Sequence, residues 1–144
     1  MTDIKINGEI LINYKAPYKL VKDDDDQGWD IKSTEDKLLI PGKTALVKTG
    51  LYLELEPNCY ADVRPRSGLS SKGILCHLGL VDSGYRGEIK VCLTNLTSLP
   101  HLVRDGDRIA QLVFGQEISI RPSKVDKINK ATKRGSKGFG SSGR

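Results

Sequence analysis

A chain of 144 residues is one domain of ordinary size, long enough to bury a substantial core. It contains no apolar run that could span a membrane and no N-terminal signal-peptide pattern, so a cytoplasmic protein with no membrane partner is expected. The net charge of +5 is unevenly placed: residues 121–144 carry eight basic side chains and one acid, whereas the first 120 carry 15 basic and 17 acidic. A basic tail suits a polyanion, whether nucleic acid or a triphosphate, and equally suits a solvated end.

The first polar landmark is "DDDD" (23–26). Four consecutive acids on an extended chain cannot all face one ion, and the spacing is not that of an EF-hand, so a solvated turn is expected. "PGKT" (41–44) echoes a phosphate-binding loop, but Lys37 stands where that loop needs its first glycine. "LYLEL" (51–55), "CYADV" (59–63) and "IKVCL" (89–93) alternate as half-buried strands do. "RIAQLVFGQEISI" (108–120) is a longer strand-like stretch, with Gly115 expected at a bulge. Turns are expected at Pro41-Gly42, Pro57-Asn58, Asp82-Ser83-Gly84 and Asp105-Gly106. "SGLSSKG" (67–73) can hold one short helix with Ser67 as its cap. Short strands at regular spacing predict an all-β sandwich, barrel or jelly roll. Cys59, Cys76 and Cys92 are odd in number and widely spaced, so they read as reduced thiols packed as small hydrophobes. His77 and His101 are isolated, as structural histidines usually are.

Five stretches are too polar and glycine-rich for simple strand patterning: "QGWDI" (27–31), "PRSGL" (65–69), "GLVDSGYRG" (79–87), "GDRIAQL" (106–112) and "RGSKGFGSSGR" (134–144). A guanidinium, a hydroxyl and a glycine amide in "PRSGL" are groups that hold phosphate oxygens, although alone Arg66 reads equally as a surface ion pair. Asp82 alone reads as a turn cap and Tyr85 as a core aromatic. A glycine- and serine-rich tail alone reads as a disordered end.

In this order, and over nearly the whole chain, the five stretches resemble the five motifs of the trimeric dUTPase family. The resemblance implies a distorted, β-clip-like jelly roll over residues 1–120 and a basic, glycine-rich arm over 121–144 acting as a lid. It implies hydrolysis of dUTP to dUMP and pyrophosphate, which keeps uracil out of DNA and supplies dUMP for thymidylate synthesis. Arg66, Ser67, Gly68 and Gln111 would contact the phosphate chain, with Asp107 and Arg108 holding their strand in place. Asp82 would orient and activate the water that attacks the α-phosphorus. Tyr85 would stack its ring on the deoxyribose and exclude a 2′-hydroxyl. The turn from Leu75 to Gly79 would read uracil through backbone groups. Phe139 would cover the base, while Arg134, Gly140, Ser141 and Ser142 reach the γ-phosphate. Asp30 would hold a water on Mg²⁺, and the sites would form between subunits of a homotrimer.

The sequence departs from the family at Gln27 and Ile31 in the first motif and at Lys137, where glycine is usual. If that position needs a positive φ, the lysine costs freedom; otherwise it adds attraction to the triphosphate. Two other readings stay open. A dCTP deaminase shares the fold, but its proton-shuttling glutamate would fall at Cys92, whose thiol cannot replace it. A regulatory module of this fold could instead bind protein or nucleic acid through Lys124, Lys127, Lys130 and Lys133. The lack of aromatics interleaved with those lysines argues against nucleic acid.

Overall fold

A computed structural model describes residues 5–6 and 8–140. Alternation along the chain becomes two four-stranded antiparallel sheets. One has the order β3 (Asn13–Lys15), β6 (Thr44–Glu54), β10 (Ile89–Asn95), β8 (Ile74–Cys76). The other runs β4 (Trp29–Lys32), β12 (Arg108–Gln116), β7 (Cys59–Arg64), β9 (Gly79–Val81). Two small ribbons complete the fold: β1 (Lys5–Ile6) with β2 (Glu9–Ile10), and β5 (Lys37–Leu39) with β11 (His101–Val103). The one helix among the described residues, α1, is the four-residue Ser67–Ser70. The chain is therefore all-β, as its patterning predicts.

Strand period decides which residues are buried. In β10, Ile89, Val91 and Leu93 point inward; in β7, Cys59, Ala61 and Val63 do. Side chains from both sheets join one apolar cluster with Ile31, Leu51, Leu53, Ile109 and Leu112 at its centre. Asn95 is one of three polar residues buried among the described residues, with Ser33 and Thr49. Its amide donates to the carbonyls of Leu39 and Leu99 and its oxygen accepts from Thr97, which ties the end of β10 to β5. All four expected turns close as such, with Gly42 and Gly106 at φ +73° and +89°.

Three local expectations fail. Ser67 is not the cap; Arg66 takes that position in extended conformation, and no side chain caps the helix. β12 ends at Gln116, four residues early, because past the bond from Glu117 N–H to Asn58 O the isoleucines 118 and 120 stay 77% and 73% exposed. Gly115 is not at a bulge. It pairs in regular register with Tyr60, whose ring lies across it so that a Cβ would sit 2.5 Å from the ring's Cζ. The irregularity in β12 falls instead between Arg108 and Ala110, where it pairs β4.

Candidate active site

Three of the five motifs lie on strands of the second sheet and a fourth, residues 65–69, follows directly on β7, but they do not converge on one place. β4, β12 and the end of β7 form a cleft of about 830 Å³ lined by Gly28, Asp30, Arg66, Ser67 and Gln111, together with Lys22, Arg64 and Arg108. Asp30 and Gln111 face each other because they are paired across β4 and β12. Intrachain bonds fix the walls. Arg66 Nε stands 3.5 Å from Asp30 Oδ1, and Arg108 Nη1 stands 3.7 Å from Asp30 Oδ2. Arg66 Nη1 also donates to the Arg108 carbonyl at 3.3 Å. Gln111 Nε2 donates to Pro65 O at 2.8 Å, and its side chain fills the space that a Cβ on Gly28 would need. The first motif thus requires its glycine for packing. Asp107 closes its own turn, accepting from Arg104 N–H at 2.9 Å.

Gly68 faces an adjoining hollow of about 470 Å³, which shares Arg66 and Arg108 with the cleft. The acids at 23–26 form the expected exposed turn, and Asp23 and Asp26 reach the cleft rim. Sequence reasoning missed Lys22, Arg64 and the rim acids as lining residues. Arg64 was signalled by its spacing of two from Arg66; the rim acids had only their nearness to Gly28.

The third motif opens elsewhere. Gly79, Asp82 and Tyr85 line a second cleft of about 390 Å³ with Val63, Leu80 and Glu88, and no residue lines both clefts. Asp82 begins the turn, its carbonyl accepting from Tyr85 N–H at 3.1 Å. Tyr85 folds over Gly87, where a Cβ would stand 2.7 Å from its Cζ, and donates its hydroxyl to Glu88 O at 2.8 Å. Leu78 and Leu80 beside this cleft are 75% and 66% exposed, and Leu46 on its wall is exposed too. Apolar groups so placed are suited to cover by another chain.

The arm stands away from both clefts. Residues 117–137 are exposed, and Phe139 is wholly exposed at φ +48°. Within the arm, Arg134 Nε donates to Lys137 O at 2.8 Å and Lys137 N–H returns a bond to Arg134 O at 3.2 Å. Gly135 and Gly140 use positive φ, at +56° and +84°; Lys137 does not, so its side chain costs no such strain. Ser141 and Ser142 lie outside the described residues.

No three His, Cys, Asp or Glu side chains among the described residues gather as a metal cage. Asp30 is a carboxylate in the cleft wall whose two oxygens face arginines, and Mg²⁺ is an ion that keeps several of its waters and takes phosphate oxygens.

The dUTPase family model matches residues 15–143. The deoxyuridine 5′-triphosphate nucleotidohydrolase of Clostridium tetani is 38% identical over 146 residues, covering 93% of this chain and all of that one. Among solved structures, the dUTPase of Staphylococcus bacteriophage 80alpha with dUPNHPP superposes with a TM-score of 0.80 at 26% identity, covering 93% of this chain and 99% of that one. A variant of the dUTPase from phage phi11 of S. aureus, whose structure details a structural Mg(II) ion, shares the fold with a TM-score of 0.75 at 20% identity, over 82% and 98%. The chain belongs to the dUTPase family.

Proposed function

We propose that this protein hydrolyses dUTP to dUMP and pyrophosphate in sites assembled between the subunits of a homotrimer. The observation that carries the reading is the gathering of Arg66, Ser67 and Gln111 in one polar cleft while Asp82 and Tyr85 line another. Neither cleft alone holds both a phosphate cradle and a base, and family membership supplies the reason to join them across chains.

Arg66, Ser67 and Gln111 bind the triphosphate, Arg66 through a guanidinium already oriented by Asp30. Asp82 of a neighbouring subunit holds a water against the α-phosphorus and takes its proton as it attacks. One P–O bond forms from the water, the bond from the α-phosphorus to the bridging oxygen breaks, and pyrophosphate leaves. Tyr85 stacks on the deoxyribose and leaves no room for a 2′-hydroxyl. The arm closes with Phe139 over uracil, where stacking contributes ~1–3 kcal/mol, and with Arg134, Gly140, Ser141 and Ser142 at the γ-phosphate. Asp30 is the residue that would hold Mg²⁺ through water, and the ion would supply neutralisation of the phosphate charge. The protein then works in the nucleotide pool, where dUTP is removed before polymerases use it.

The test is product analysis with dUTP, UTP, dTTP and dCTP, each with Mg²⁺. dUMP and pyrophosphate from dUTP alone are expected. Ammonia from dCTP would make the protein a deaminase, and no turnover would leave a binding module.

A further inference from the structure

Glu88 lies just past the third motif, and the mechanism above gives it no part. Its two ends are engaged on different structures. β10 pairs Ile89 with Leu51 but Val91 with Val47, so residues 48–50 of β6 bulge out opposite Lys90. A bulge leaves backbone groups without ladder partners. Here Glu88 Oε2 accepts both stranded donors, Thr49 N–H at 3.2 Å and Gly50 N–H at 3.1 Å. The Thr49 hydroxyl donates to Ile89 O, Lys48 O accepts from Thr34 N–H at 2.9 Å, and Gly50 supplies a φ of +63°. These bonds occupy two N–H donors, one hydroxyl and one carbonyl of the bulge. Glu88's other end, its backbone carbonyl, accepts the Tyr85 hydroxyl at 2.8 Å. Gly87 leaves room for the ring, since a Cβ there would strike it.

We infer that Glu88 is a positioning residue for sugar selection: its carboxylate pins the 82–88 turn to the β6 bulge and so fixes where the Tyr85 ring stands. The inference rests on the proposed reading of Tyr85 as the wall against the deoxyribose. A wall that discriminates one hydroxyl has to be held to well under the size of that hydroxyl, and Tyr85 is itself half exposed with little packing to hold it. Without the carboxylate, two bulge amides lose their acceptor and the turn loses its anchor. The ring then has a range of positions, some of which admit a ribose.

The experiment compares kcat/KM for dUTP and UTP in wild type, Glu88→Ala, Glu88→Gln and Tyr85→Ala. Glu88→Ala is expected to lower the preference for dUTP about tenfold or more, mainly by admitting UTP. Glu88→Gln, whose amide oxygen still accepts both bonds, is expected to stay within about twofold of wild type. A folded Glu88→Ala with a lowered melting temperature and an unchanged preference would mean a purely structural role and would overturn the inference. Should that variant fail to fold, Glu88→Asp, one methylene too short for both amides, takes its place with the same two outcomes. Tyr85→Ala separates the layers. A preference lost there but kept in the Glu88 variants overturns only the role of Glu88, whereas a preference kept in Tyr85→Ala removes the sugar wall itself.

Discussion

The two clefts of this molecule are built in opposite ways. The Arg66 cleft is closed by its own chain: Asp30 holds two arginines, Gln111 is bonded to Pro65, and Gly28 leaves room for Gln111. The Asp82 cleft is shallow, rimmed by exposed leucines, and its aspartate is held by little beyond its own turn. A phosphate cradle has to exist before the ligand arrives, because arginines left free would pay for their ordering on binding. A water-positioning carboxylate can wait for a neighbour to complete its surroundings. On the proposed reading, the difference means that the chain preorganises the half that would bind phosphate and leaves the half that would activate water to assembly.

Substitutions on the two sides sharpen the contrast. Asp82→Asn is expected to retain nucleotide binding, measured calorimetrically with a non-hydrolysable analogue, and to lose roughly 10²–10⁴-fold in kcat. An Asp82→Asn protein with near-normal turnover would remove Asp82 as the base. Deleting residues 134–144 comes next: turnover is expected to fall about 10²-fold with the oligomer intact by sedimentation, because a lid excludes water without holding the fold. Loss of the oligomer would make the arm structural.

Smaller effects separate the clefts by stability. Gly28→Ala would place a Cβ 2.7 Å from Gln111 Cδ inside a closed wall, and is expected to cost about 1–3 kcal/mol in denaturant unfolding. Gly79→Ala in the open cleft meets only Val63 at 3.5 Å and is expected to be nearly neutral. Equal costs would mean that both clefts are equally packed.

The smallest effect is on pH. Burial, with a lesser contribution from Cys92, pushes the Cys76 thiol from 9.0 to about 11. The fold favours the neutral thiol, so that contribution is whole below pH 9.0 and fades as pH rises toward 11. Cys76→Ala is expected to flatten that part of the stability curve, and a superimposable curve would show that the thiol is not so shifted.

The sequence made one of these clefts easier to foresee than the other. Period-two runs such as "CYADV" and "IKVCL" announced their strands, and the paired polar motifs announced their residues. Sequence spacing could not say that the motifs divide between two clefts, because that depends on which strands β4 and β9 each pair with. Gly115 looked like a bulge because its partner, the Tyr60 ring, lies 55 positions away in sequence. "EISI" looked like strand because its alternation is real, but among the described residues no strand pairs with it. Glu88 carried no signal at all: its worth comes from a bulge in another strand.

The most direct test of the shared site is to mix two inactive variants. Asp82→Asn and Arg66→Ala are refolded together in equal amounts and assayed for dUTP hydrolysis. If each site takes its cradle from one subunit and its base from another, about a quarter of sites regain both, and activity returns toward that fraction. If the mixture stays as inactive as its components, both halves belong to one chain and the account is wrong.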